Sequence, residues 1–82
     1  MIRIIFFAQL RESLGVGEIQ WPLNQIETLE SVISELQSQS EIWRRALSNQ
    51  NLLMSINKEF AKPDSKVKPG DEVAFFPPVT GG

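Results

Sequence analysis

Apolar residues along this chain fall in runs whose period changes from two to nearly four and back. Residues 2–8 are almost continuously apolar, with β-branched and aromatic members, which predicts a strand covered at least partly on both faces. Alternation sends Ile2, Ile4 and Phe6 one way and Arg3, Ile5 and Phe7 the other. Gln9 to Leu14 predicts a short helical turn closed by Gly15. Glu18-Ile19-Gln20-Trp21-Pro22-Leu23 alternates polar and apolar, as a second strand antiparallel to the first would, and Pro22 marks its end. The period then lengthens. Thr28 is an N-cap, Glu27 and Glu30 favour the positive end of a helix dipole, and Leu29, Val32, Ile33 and Leu36 form one apolar stripe. Ser38-Gln39-Ser40 interrupts it, and Ser40 caps a further helical stretch, Glu41 to Leu47, expected to turn Ile42, Ala46 and Trp43 inward.

After the turn cluster Ser48-Asn49-Gln50-Asn51, Leu52 to Asn57 predicts a third strand with Leu52, Met54 and Ile56 toward the core. Glu59 to Lys62 forms a short extended segment, Pro69-Gly70 suits the two central positions of a type II turn, and Glu72 to Phe76 is the last strand. The two most apolar strands, the first and the last, belong side by side at the sheet centre. With the long helix across one face, this order predicts an α+β fold of the β-grasp (ubiquitin-like) type. Its mixed sheet has four to five strands, with one main helix packed across one face. The folded domain spans residues 1–76, and 77–82 form a flexible Gly-Gly tail. Ile4, Phe6, Val73 and Phe75 face the helix. Phe7 and Phe76 project from the other face and, with Phe60, make an exposed apolar patch of the kind that marks a partner surface.

Composition narrows the chemistry. The chain has 82 residues, enough for one small core, and a formal charge of −2 with its eight basic residues scattered, which predicts no nucleic-acid footprint. Lys62, Lys66 and Lys68 read as a solvated edge protected from aggregation by lysine. No apolar run approaches a membrane span, and the N-terminal strand lacks the basic flank and cleavage site of a signal peptide, so no membrane and a cytoplasmic location are expected. The chain has no Cys and no His. Thiolate catalysis, a persulfide on this chain, a Ser-His dyad and a Cys/His zinc site are therefore excluded, and no bound metal or cofactor is expected.

The C-terminus carries the remaining chemistry. Pro77 and Pro78 lock φ and remove two N–H donors, so the strand through Phe76 must stop. From Pro77 the chain can reach roughly 20 Å at about 3.3 Å per residue. Gly81 and Gly82 lack a Cβ and can enter a channel too narrow for other residues.

The segments Phe6-Phe7-Ala8-Gln9-Leu10-Arg11-Glu12 and Gly70-Asp71-Glu72-Val73-Ala74-Phe75-Phe76-Pro77-Pro78-Val79-Thr80-Gly81-Gly82 resemble the small, sulfur-carrier subunits of molybdopterin synthase. That resemblance implies an E1-like enzyme that uses ATP to adenylate the carboxylate of Gly82, and a sulfur donor protein that converts the adenylate to a thiocarboxylate. The tail then enters the large synthase subunit, in a 2:2 heterotetramer, and gives its sulfur to cyclic pyranopterin monophosphate in molybdenum cofactor biosynthesis. The chain is thus no enzyme on its own. Gly82 reacts and Gly81 provides clearance; Phe7, Phe60, Phe76, Pro77, Pro78, Val79 and Thr80 correspond to partner-binding positions. Arg11, Asp71 and Glu72 either pair with a partner or are surface charges and turn residues. Two alternatives stay open: a sulfur carrier for thiamin or tRNA thiolation, and a ubiquitin-like binding module whose tail is never activated.

Overall fold

The computed structural model describes residues 1–78. In chain order it contains β1 (Ile2–Phe6), α1 (Ala8–Leu14), β2 (Glu18–Trp21), β3 (Glu27–Thr28), α2 (Leu29–Gln37), α3 (Glu41–Ala46), β4 (Leu53–Ile56), β5 (Glu59–Ala61), β6 (Lys66–Val67) and β7 (Glu72–Phe76). Five strands form one mixed sheet in the order β2-β1-β7-β4-β5. β1 and β7 pair in parallel, and every other pair is antiparallel. The predicted β-grasp arrangement is therefore present, with β7 hydrogen-bonded on both sides.

The core lies between the sheet and the helices. Ile2, Ile4 and Phe6 of β1, Val73 and Phe75 of β7, and Leu29, Val32 and Leu36 of α2 are each no more than 1% exposed. Thr28 Oγ1 accepts from the Ser31 N–H at the start of α2, and Ser40 caps α3 by accepting from the Trp43 N–H. Trp43 packs edge-on against Phe6, with ring centroids 5.4 Å apart.

One expectation needs correction, and three features are additional. Ile42 is 60% exposed, because on the short α3 the inward positions are Trp43, Ala46 and the following Leu47, a set that turns Ile42 to solvent. Lys66 and Lys68 are exposed, on or beside a strand paired on one side only, as a solvated edge requires. Lys66 pairs in register with Thr28 in a separate two-stranded sheet, β3 with β6, and Lys68 is tied to Asp71. Besides α2, the helices α1 and α3 contribute Leu10 and Trp43 to the same core, so three helices rather than one cover that face. The two-residue ladder of β3 and β6 is too short to leave a period in the sequence.

Candidate functional site

The open face of the sheet carries a groove, and register explains it. Across the middle of that face run Ile5, Ala74, Ser55 and Phe60, aligned by the pairs Ile5 with Ala74, Ser55 with Ala74 and Ser55 with Phe60. The two central members are small, so the sheet has no bulk there, while the neighbouring row carries Phe7 and Phe76. Those two rings stack at 4.8 Å with an interplanar angle of 5°. The result is a recess of about 350 Å³, floored by Ala74 and Ser55, walled by Ile5, Phe7, Phe60 and Phe76, and rimmed by Lys58 and Glu72. Phe60 is 82% exposed and Phe7 42%, an arrangement that leaves aromatic area in water until something covers it.

The structure thus brings together Phe7, Phe60 and Phe76. Pro77 and Pro78 continue directly from β7, half-buried in a second recess between α1 and α3 that Leu10, Arg45 and Leu52 also line. Arg11 stands apart from both. Its guanidinium lies against Gly17, where a Cβ would sit 3.0 Å from Arg11 Cζ, in a shallow hollow on the outer side of α1. Val79, Thr80, Gly81 and Gly82 lie outside the described residues.

Two charged constellations frame the groove. Arg3 bridges Glu18 at 2.9 Å and Glu72 at 3.3 Å across three strands. The side-chain hydrogen bond from Arg3 is the main cause holding the Glu18 carboxyl below its ordinary pKa. Asp71 is the second, and its role differs from a surface charge: it is only 6% exposed. Its Oδ2 accepts from the Lys68 N–H at 2.9 Å, and its Oδ1 accepts from Asn57 Nδ2 at 3.0 Å and Lys68 Nζ at 3.1 Å. Burial alone would raise this carboxyl; the bonds from Lys68 and Asn57 outweigh it and hold the pKa below that of an ordinary aspartate. Asn57 also accepts from the Glu72 N–H and donates its own N–H to the Glu72 carbonyl. Asp71 and Asn57 thereby bolt the β4–β5 turn to the start of β7, which fixes Phe60 relative to Phe76.

Sequence reasoning missed this clamp, although the Asp after Pro-Gly carried a signal: a turn aspartate can accept the N–H of the residue three positions earlier. It also missed Lys58 and the small pair Ala74 and Ser55, which become a groove only once register aligns them. Among the described residues no group of three or more His, Cys, Asp or Glu side chains could hold a metal ion, and no helix is long and apolar enough to cross a membrane. The groove offers chiefly apolar burial, the property of a recognition surface.

The model of the ThiS family matches residues 4–82. The molybdopterin synthase sulfur carrier subunit of Haemophilus influenzae is 45% identical over 82 residues, and that of Escherichia coli 40%, each covering 100% of both chains. Among solved structures, SAMP1 from Haloferax volcanii superposes with a TM-score of 0.77 at 24% identity, covering 99% of this chain and 98% of that one. A protein-protein complex of subunits 1 and 2 of the molybdopterin-converting factor from Helicobacter pylori contains a chain that superposes at 0.66 with 21% identity, covering 99% and 97%.

Proposed function

This chain belongs to the ThiS family, and on that premise we propose that it is the sulfur carrier subunit of a molybdopterin synthase. The observation that carries the reading is one of continuity. The central strand β7 places Phe76 in the apolar groove, and the next residues, Pro77 and Pro78, leave the sheet toward a terminus of two glycines. A handle and a reactive end are thereby joined through the central strand of the sheet. In support, the two bacterial relatives named as such carriers match over their whole length.

The chemistry follows from what the chain lacks. Without Cys, sulfur has no side chain to travel on, and the C-terminal carboxylate of Gly82 is the remaining carrier. A free carboxylate, with a pKa of about 3.3 to 3.7, is a poor acyl donor. An E1-like enzyme lets a Gly82 carboxylate oxygen attack the α-phosphorus of ATP, releasing pyrophosphate and leaving an acyl-adenylate. Sulfide sulfur from a donor protein then displaces AMP and leaves a thiocarboxylate. Its sulfur attacks a carbon of cyclic pyranopterin monophosphate and displaces an oxygen leaving group; water then cleaves the resulting thioester, leaving the sulfur on the pterin and returning the carboxylate. Two charged carriers supply the two sulfurs of the dithiolene, which fits a 2:2 assembly with the large subunit. In this scheme Gly81 gives clearance, Val79 and Thr80 extend the tail, and the groove of Phe7, Phe60 and Phe76 docks the body on its partners. Arg11 lies away from the groove and would make a separate contact.

Intact-mass measurement tests the reading. After incubation with ATP, the activating enzyme and a sulfur donor, the chain gains the mass difference of one oxygen replaced by sulfur. Added to the large subunit and pyranopterin precursor, it yields molybdopterin. No mass change, or full product formation by a chain amidated at Gly82, refutes it; sulfur loading without molybdopterin points to a carrier for another pathway.

A further inference from the structure

Lys58 has no part in the scheme above, yet it stands at the rim of the groove in a backbone conformation that lysine disfavours. The two-residue turn between β4 and β5 holds Asn57 at φ +50° and Lys58 at φ +71°. Asn tolerates the left-handed region, but glycine is the usual second residue of such a turn, and a β-carbon there is a standing cost. Strain of this kind, kept at the edge of a candidate site, points from geometry toward function. The neighbouring charges sharpen the point. Glu72 on the same rim is already engaged by Arg3, whereas Lys58 has no carboxylate within 4.0 Å among the described residues. Below it, Ser55 lies on the groove floor and is 7% exposed. The rim therefore presents a lysine ammonium outside any ion pair of the described residues, beside an apolar trough floored by Ala74 and Ser55.

We infer that Lys58 is a specificity-determining residue, which selects a partner segment presenting an apolar side chain to the groove with a carboxylate next to it. The apolar group covers Ala74 between Phe60 and Phe76, and the carboxylate meets the Lys58 ammonium. The inference rests on the groove being the docking surface. A charge at the rim of an interface acts chiefly through steering and partner choice, and its effect weakens with salt.

Calorimetric titration with the large synthase subunit of the same organism provides the test. Lys58→Asn, which keeps a residue tolerant of the turn, weakens binding about fivefold at low salt, and Lys58→Glu about twentyfold or more. Both losses shrink as salt rises, and Lys58→Arg binds like the parent. Phe76→Asp, run in parallel, abolishes binding. If Phe76→Asp fails to bind while the Asn and Glu variants keep parental affinity, the role of Lys58 is overturned and the docking surface stands. If Phe76→Asp binds normally, the docking surface is wrong and the inference falls with it. Should Lys58→Glu fail to fold, the comparison of Asn with Arg decides.

Discussion

Replacing Asp71 by Ala removes an acceptor that three donors share. Hydrogen bonds to a charged group contribute about 1.5 to 3 kcal/mol each when desolvated. Two of the three, from the Lys68 N–H and Asn57 Nδ2, count at about the lower end of that range, since both lie at a part-buried site. The Lys68 ammonium side chain is 66% exposed, so its pairing adds little beyond a surface ion pair. The expected loss is therefore about 3 kcal/mol, a large share of the roughly 5 to 15 kcal/mol that holds a domain together. Urea unfolding at neutral pH measures it. The pH dependence is the more discriminating arm. Because the folded carboxyl titrates below its unfolded value, its ionisation-linked stabilisation is complete above the unfolded pKa of about 3.9, and disappears as pH falls through the lower folded value. The gap between parent and variant should accordingly narrow below about pH 4. A double-mutant cycle with Asn57→Ala should show strong coupling. A loss under about 0.5 kcal/mol at neutral pH, or a gap that stays constant down to acid pH, would refute the clamp.

Other expectations follow from the same geometry. Ala74→Leu fills the groove floor, so it should reduce affinity for the large subunit at least tenfold while thermal unfolding shifts little; normal affinity would mean the trough is not filled by the partner. Lys58→Gly relieves the left-handed backbone and should raise stability by about 0.5 to 1 kcal/mol in urea unfolding, even as it weakens docking. A hydrogen bond with Glu27, with burial and like charge adding to it, raises the pKa of Glu35. The folded state then resists ionisation as pH rises, so Glu35→Gln should gain less than about 0.5 kcal/mol at neutral pH and nothing in acid.

What could be read beforehand was whatever leaves a local pattern. The alternation of Ile2, Ile4 and Phe6, the stripe of Leu29, Val32 and Leu36, the caps Thr28 and Ser40 and the Pro69-Gly70 turn each act within a few residues. All are found in place, with the Asp71 N–H donating to the Lys68 carbonyl to close that turn. The alternation of Phe7 and Phe76 onto the open face was legible for the same reason. The contacts that escaped are those between residues distant in sequence. Asn57 and Asp71 meet across fourteen positions, Arg3 and Glu72 across sixty-nine, and Ala74 meets Ser55 only through strand register. Ile42 misled because a six-residue helix does not constrain which of its apolar residues faces inward.

The placement of β7 has a mechanical consequence. Traction on the C-terminal end of this strand runs along its own axis, between a parallel neighbour and an antiparallel one. Both ladders are then loaded in shear, so their rungs must give way together instead of unzipping one by one. A machine that grips the terminus and tugs would drag the whole body along before it peeled off a single strand.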